Sequence, residues 1–262
     1  MKYLKKYKIF ESMDEQKIHD LCKKYGIENY TINNEGSIDV NGSVYLEVKG
    51  LTKLPIRFRN VSESFMYGHF YCYNNNLTSL EGAPNRVGGD FVCNNNQLTS
   101  LEGAPTSVGG DFYCFNNKLT SLEGGGFYCS NNQLTSLEGA PSQVGGGFYC
   151  HNNNLTSLKG VPNSVNDFWC QNNKLTNLEG LEWKSFDNID LRNNPVYEVV
   201  KDWINNKDRI ELIEYFIDMN VIQQSEDKPK LILPRLEAFH EEMELEMNID
   251  FEEVKKYYEI IK

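Results

Sequence analysis

Residues Phe91 to Asp111 read FVCNNNQLTSLEGAPTSVGGD, and nearly the same words surround them on both sides. The upstream copy is FYCYNNNLTSLEGAPNRVGGD from Phe70. Downstream come FYCFNNKLTSLEGGG from Phe112, FYCSNNQLTSLEGAPSQVGGG from Phe127, FYCHNNNLTSLKGVPNSVND from Phe148 and FWCQNNKLTNLEGLEWKSFDN from Phe168. These six units are 21, 21, 15, 21, 20 and 21 residues long. A degenerate copy, IDLRNNPVYEVV, starts at Ile189, and VYLEVKGLTKLP from Val44 is a further candidate. Self-similarity at a fixed period of this length marks a stacked repeat architecture.

One unit can be read physically. Phe91 and Cys93 lie two apart, so on a strand they share a face. Leu98 and Leu101 return to the same interior after a polar break. Asn96 sits at the bend, where buried backbone groups lose strand partners; an Asn side chain can both donate and accept. Stacking the units puts Asn75, Asn96, Asn117, Asn132, Asn153, Asn173 and Asn194 in one column. Gly-Ala-Pro and Gly-Gly are unsuited to a helix interior, so the return side is expected to be extended or polyproline-like. The short unit from Phe112 closes on Gly124, Gly125 and Gly126 and is expected to kink the stack between Tyr113 and Tyr128. Phe65 to His69 reads as an insertion that disturbs it at the start.

The pattern Phe-x-Cys-x-x-Asn-x-Leu-x-x-Leu resembles the core of the leucine-rich repeat. The short unit with Pro on its return side looks like the bacterial subclass of secreted effectors, and its wording is similar to leucine-rich-repeat proteins of tailed bacteriophages. The lead-in from Ile32 to Leu46 (INNEGSIDVNGSVYL) shares that likeness, which covers roughly residues 30–200. The resemblance implies an α/β-type repeat solenoid with a parallel β-sheet on its concave face. Function is not implied, because a fold and the site grafted on it are separate questions. Effectors of the subclass often carry a C-terminal ubiquitin-ligase domain with a nucleophilic Cys. Here the last cysteine is Cys170, which excludes thioester chemistry in the tail.

The expected organisation is a basic N-terminal segment (1–12), a small α+β N-terminal cap (13–43), the repeat solenoid (44–195) and an acidic helical C-terminal cap (196–262). In DEQKIHDLCKKY (14–25), Ile18, Leu21, Cys22 and Tyr25 form one helical face stopped by Gly26. Short strands are expected around Ile27–Ile32, Ile38–Val40 and Val44–Val48. After Pro195 the apolar period becomes helical, through Val196, Val199, Val200, Trp203 and Ile204, then Ile210, Ile213, Phe216 and Ile217. Leu233-Pro234 reads as a helix entry, and Phe251, Val254, Tyr257 and Tyr258 as a last helix-like segment. Residues 196–262 hold 9 basic and 17 acidic side chains, so most of the chain's net charge of −11 lies there. MKYLKKYKIF carries four lysines. With Ile9, Phe10 and Glu11 it resembles the head-targeting peptides of proteins packaged in contractile-tailed phages, which are cleaved after a hydrophobic-x-Glu motif. A plain basic end is the simpler reading.

Several function classes recede. The chain has 262 residues, 40% hydrophobic and 24% charged, ordinary for a folded soluble protein. No apolar run approaches a membrane span. The acidic balance opposes a nucleic-acid backbone partner, and no secretory signal is visible at the N-terminus. Seven cysteines without such a signal point to reduced thiols in a cytosol-like compartment. Six of them form a column about 4.8 Å apart with parallel vectors, which suits neither a disulfide nor tetrahedral zinc; core packing is the reading. His19, His69, His151 and His240 fall on different elements, none with a nucleophile at a telling spacing. The Gly-Gly-Asp pieces read as turns rather than calcium sites, and the Thr column as turn residues rather than an ice-binding ladder. No cofactor or metal is expected, and no enzyme.

What remains is the outward face of the strands. Its first column reads Tyr71, Val92, Tyr113, Tyr128, Tyr149, Trp169; the second reads Tyr73, Asn94, Phe115, Ser130, His151, Gln171. A third, preceding position carries His69, Asp90, Asp111, Gly126, Gly147 and Asp167. Exposed aromatics rimmed by carboxylates look like a recognition surface, although an aromatic ladder also stabilises a sheet through cross-strand pairs. The expected binding residues are Tyr71, Tyr73, Tyr113, Phe115, Tyr128, Tyr149, His151 and Trp169. The partner is expected to be a protein, in the host cytoplasm. Two other classes stay open: a structural or packaged component of the virion interior, and an enzyme in the tail.

Overall fold

The computed structural model describes residues 14–62, 68–122, 128–140, 147–181, 185–205 and 209–262. The basic segment with Ile9, Phe10 and Glu11, residues Phe65 to Tyr67 of the insertion, and Gly124, Gly125 and Gly126 lie outside them.

The chain opens with α1 (Glu15–Tyr25), β1 (Tyr30–Ile32), β2 (Ile38–Asn41), β3 (Val44–Tyr45) and β4 (Phe58–Ser62). Two-residue strands follow: β5 (Phe70–Tyr71), β6 (Arg86–Val87), β7 (Phe91–Val92), β8 (Ser107–Val108), β9 (Phe112–Tyr113) and β10 (Phe148–Tyr149). β11 (Ser164–Trp169) and β12 (Ser185–Asp190) are longer. The C-terminal part holds α2 (Tyr197–Val200), α3 (Arg209–Asp218), β13 (Ile222–Gln223), β14 (Lys230–Ile232), α4 (Leu233–Glu242), α5 (Phe251–Val254) and β15 (Glu259–Ile261).

The sheets are mostly parallel and the helices few. β3, β5, β7 and β9 form one parallel sheet, and β10, β11 and β12 another. Single parallel bridges from Tyr113 to Tyr128 and from Tyr128 to Tyr149 join the two. The pairing runs Val44, Phe70, Phe91, Phe112 and then Phe148, Phe168, Ile189, so equivalent positions of the sequence units face one another. Phe70, Phe91, Phe148 and Phe168 are fully buried, with the six repeat cysteines beside them. Leu77, Leu80, Leu98 and Leu101, with their equivalents, fill the same continuous core.

The return segments are extended, as expected, but they also pair. β1, β2, β4, β6 and β8 make a five-stranded sheet, parallel except for the β1–β2 hairpin. Two residues per strand are too short to show a period in the sequence. Between the two sheets the chain passes through Gly-Gly, and a Cβ on Gly109 would stand 2.2 Å from the carbonyl oxygen of Gly88 in the coil before. Where Asn166 stands in place of that pair, the two strands fuse into the six-residue β11.

The N-terminal expectation holds in outline. Asp14 caps α1 through the Gln16 amide, Ile18 and Cys22 are buried, and Gly26 ends the helix at φ +66°. The C-terminal expectation of a helical cap needs correction. Three of its segments form a sheet, with β13 antiparallel and β15 parallel to β14. Glu259–Ile261, next to the expected last helix, is strand because it can bond the free edge of β14. In α3 the buried face is Leu212, Ile213 and Phe216, whereas Ile210 is exposed. Among the described residues, no helix is long and apolar enough to cross a membrane.

Candidate functional site

The outward face of the parallel strands is positioned by what lies beneath it. Asn96 Nδ2 donates to the carbonyls of Cys93 and Cys72, both at 3.0 Å, and Asn96 Oδ1 accepts the Leu77 amide at 2.9 Å. The same bonds recur at Asn117, Asn132, Asn153 and Asn173. Each asparagine thus ties its own coil to the one before. One position earlier stands a second asparagine series that sequence reasoning missed. Asn74, Asn95, Asn116, Asn131, Asn152, Asn172 and Asn193 all adopt φ between 52° and 58°. Asparagine tolerates that left-handed turn better than other side chains. Asn116 donates to Asn95 and Asn95 to Asn74, each at 2.7 Å, along the surface. The doubled Asn in every unit was the visible signal.

All eight expected residues lie on this face, and ring contacts sort seven of them, His151 aside, into two groups. In the first, Tyr71 stacks on His69 (centroids 5.5 Å, 8°) and meets Tyr73 edge-on at 6.2 Å. Tyr45, from the upstream copy, joins at 5.5 Å and is more than half exposed. In the second, Tyr113, Tyr128 and Tyr149 stack at 4.3 and 4.7 Å, Phe115 stands edge-on to Tyr113, and Trp169 turns at 90° to Tyr149. Val92 and Asn94 separate the groups. Asn94 and Ser130, placed outward by their alternation, are buried: they are small side chains between larger neighbours in their column.

The stacking decides which surfaces are on offer. The faces of Tyr113, Tyr128 and Tyr149 are turned towards one another, and the Tyr113 hydroxyl is turned to Asp111. Trp169, 41% exposed, is the open ring of this run.

The carboxylates of the third column partly serve the backbone. Asp90 Oδ1 accepts the Asp111 amide at 2.8 Å, and His69 Nδ1 accepts that of Asp90 at 2.9 Å. The Tyr113 hydroxyl donates to Asp111 Oδ2 at 2.9 Å, and Asn188 Nδ2 donates to Asp167 Oδ1 at 2.8 Å. Burial, reinforced by Asp111, pushes the Tyr113 and Tyr128 hydroxyls up from their ordinary acidity; burial and Asp167 do the same at Tyr149. The face therefore carries neutral phenols in a negative field.

Three polar atoms in the second column are buried without a hydrogen-bond partner: Glu47 Oε2, His151 Nδ1 and Gln171 Oε1. Burial holds the His151 imidazole below its usual range, against the pull of Asp190. Next along, Asp190 is gripped by Arg192 at 2.7 Å, which keeps its carboxyl low. Glu47, Asp190 and Arg192 belong to the same columns and were findable from the register of VYLEVKG and IDLRNN.

The cysteines are not part of the face. All seven are free and buried. Burial raises the thiols of Cys72, Cys93, Cys114, Cys129 and Cys150 far above their ordinary range, so they are poor nucleophiles. Among the described residues, no group of three His, Cys, Asp or Glu side chains could hold a metal ion. Two hollows lie elsewhere. One of about 330 Å³ sits between Asn177–Glu179 and the α3–β13 turn, and one of about 890 Å³ lies between α1 and residues 49–57, with Lys17, Lys49, Lys53 and Arg57 on its rim.

Comparison with models of known protein families and with curated proteins returns no match. The functional reading therefore rests on the face itself.

Proposed function

We propose that the chain is a leucine-rich-repeat solenoid that binds a protein partner through the aromatic face of its parallel sheet and performs no chemistry of its own. The supporting observation is the run Tyr113–Tyr128–Tyr149–Trp169, held on one face by the cross-coil asparagines and ending in a half-open indole. Large aromatic side chains on a rigid support are the usual anchors of an interface. In this reading the α+β segment before Val44 and the acidic segment after Pro195 close the two ends of the stack, which would otherwise expose core and strand edge. The wording of the repeats points to a bacteriophage protein acting in the host cytoplasm.

The test is capture of a partner from infected-cell lysate by the full chain and by Tyr149→Ala and Trp169→Ala variants shown to be folded by their melting curves. Loss of a specific partner with the fold retained supports the face as the site. Unchanged capture removes it.

A second reading, a component packaged inside the virion, is favoured by the likeness of Ile9-Phe10-Glu11 to a head-targeting peptide. Mass spectrometry of purified virions separates the two. Presence with cleavage after Glu11 means packaging, and absence means a protein made for the infected cell.

A further inference from the structure

The hollow of about 890 Å³ between α1 and residues 49–57 lies at the N-terminal end of the stack, and its wall joins two chemistries. Leu21, Tyr25 and Leu51 give it an apolar floor that the core covers only in part. Lys17, Lys49, Lys53 and Arg57 stand exposed around them, with Glu81 as the single carboxylate of the lining. None of these four cations joins a salt bridge among the described residues, although Arg59, nearby in β4, is held by Asp39. Like charges gathered about one hollow repel, and an incoming carboxylate relieves them. The chain as a whole has a net charge of −11, so this concentration of positive charge runs against the rest of its surface.

The opposite end of the stack carries the complement. Residues Glu241 to Glu253 read EEMELEMNIDFEE, with seven carboxylates and no cation. Apolar residues take every second position from Met243 to Phe251, and from Leu245 to Asp250 the chain is neither helix nor strand. Met243, Leu245, Ile249 and Phe251 pack against the core; Met247 does not, and stands 39% exposed. Several of the carboxylates are occupied. Glu242 accepts the Tyr215 hydroxyl, Asp250 caps α5, and Glu252 and Glu253 hold Lys255 and Lys256. Glu241, Glu244 and Glu246 are exposed and outside any salt bridge among the described residues. The segment sits at the last coils: the Asn248 amide donates to Asp202 at 3.1 Å, and the Tyr258 hydroxyl to the Thr176 carbonyl at 2.7 Å. The parallel pairing from Val44 through to Ile189, at about 4.8 Å per step, puts the hollow and the segment roughly 30 Å apart. Both are folded against the core, so they meet only between copies.

We propose that copies of this chain associate head to tail, the acidic segment around Met247 of one seated in the basic hollow beside α1 of the next. Met247 supplies apolar surface to the floor of Leu21, Tyr25 and Leu51, and Glu241, Glu244 and Glu246 meet the cations of the rim. Two different surfaces make this contact, so every added copy leaves one hollow and one segment free, and the assembly grows as an open chain or closes as a ring. Exposed ion pairs are individually weak and screened by salt, so the association is concentration-dependent and salt-sensitive. It uses the ends of the stack and leaves the aromatic face free, so it stands or falls independently of the protein-binding reading above.

The experiment is sedimentation velocity of the full chain at rising protein concentration. It is run at about 0.1 M salt, where charges more than about 10 Å apart are screened, and at about 1 M, where adjacent pairs are screened as well. The chain is expected to grow past the dimer in the first and to fall back towards monomer in the second. Lys49→Glu with Lys53→Glu, and separately Glu244→Lys with Glu246→Lys, should each move the onset of association to about tenfold higher concentration or beyond. The first pair makes the chain more acidic and the second less so, which separates a loss in both from a plain effect of net charge. All four changes in one chain restore opposite charges across the contact and should recover the association. Met247→Gln should weaken it about tenfold, and Lys118→Glu, exposed in mid-stack, should leave it unchanged. Melting curves show that each variant is folded. A chain that stays monomeric at every concentration would overturn the proposal, as would a dimer that stops growing. So would association that survives either reversed pair, or a folded fourfold variant that remains monomeric.

Discussion

Tyr113 and Tyr128 stack with their ring centroids 4.3 Å apart and bridge in parallel register, although the unit that leads from one to the other is the shortest in sequence. The Cys114 amide still donates to the Tyr128 carbonyl at 2.9 Å, and Asn116 to Ser130 at 3.1 Å. From Cys114 to Asn116 the strand side keeps the bonds that Cys93 and Asn95 make in the coil before. Across this join the sheet narrows to single bridges at Tyr128, and the residues that close the short unit, where the kink is expected, lie outside the described ones.

Tyr128 therefore belongs to the packing as much as to any interface. It stacks on both neighbours, and such pairs contribute about 0.5–1.5 kcal/mol each beyond buried area. Tyr128→Ala should cost about 1–3 kcal/mol of unfolding free energy. Trp169→Ala, with one edge contact at the end of the run, should cost about 1 kcal/mol. Denaturant melts of the two variants give the comparison, and equal losses would mean that the rings do not act as a stack.

The buried asparagine column should carry stability that its neighbour does not. Asn153 donates to Cys129, Cys150 and His151 carbonyls and accepts the Leu134 amide. Asn153→Ala strands these groups in the core at about 1–3 kcal/mol. Asn154→Ala, one residue on, loses no such set and should cost much less. Similar small losses at both positions would mean that the bend is not held by the side chain.

The thiols should be silent in the native state. A disulfide-exchange reagent needs thiolate at the surface, and burial opposes both. Titration is expected to find few reactive groups in native protein and all seven after denaturation. A ladder disulfide in native material would contradict the geometry.

Near-identical units make a stacked parallel sheet legible in Phe91 to Asp111 alone, and the bend chemistry of Asn96 could be read from donor and acceptor capacity. The left-handed Asn95 could not, because a backbone angle leaves no period and only an unvarying residue beside another. Nor could the burial of Asn94 and Ser130, which depends on the size of neighbours in the next coil rather than on alternation along the strand. The three strands after Val221 escaped for a related reason: Ile222–Gln223 and Glu259–Ile261 are strands only because β14 lies between them. For the site, the columns were legible and the stacking was not; ring orientation is settled by packing after the backbone is placed.

Acid should loosen the C-terminal part through His240. It is 4% exposed, its Nδ1 faces the Glu246 carbonyl at 3.2 Å, and its Nε2 is buried without a partner. Burial holds the folded pKa below the ordinary 6.5. As pH falls through that ordinary value the unfolded chain takes the proton first, so stability declines until the folded pKa is passed and is restored on returning to neutrality. His240→Gln should flatten this part of the stability–pH curve. An unchanged slope would assign the acid sensitivity elsewhere, His151 being the other imidazole lowered by burial.

Val48, beside Lys49 at the position of Asn75, is where the first coil departs from the left-handed asparagine series. It occupies the position of Asn74 in the next coil and adopts the same left-handed turn, φ 56° against 52°. A β-branched residue is strained there, and left-handed backbone costs an ordinary side chain roughly 1–2 kcal/mol. Its side chain is 68% exposed, so little packing compensates. Val48→Asn should raise stability by about 1 kcal/mol, partly from relieved strain and partly by offering Asn74 the acceptor that Asn74 itself offers Asn95 at 2.7 Å. Val48→Gly separates the two contributions, because glycine removes the strain without extending the ladder. Thermal melts should place Val48→Gly between wild type and Val48→Asn. If Val48→Gly is instead the less stable protein, the valine earns its place by local packing and the strain argument is wrong.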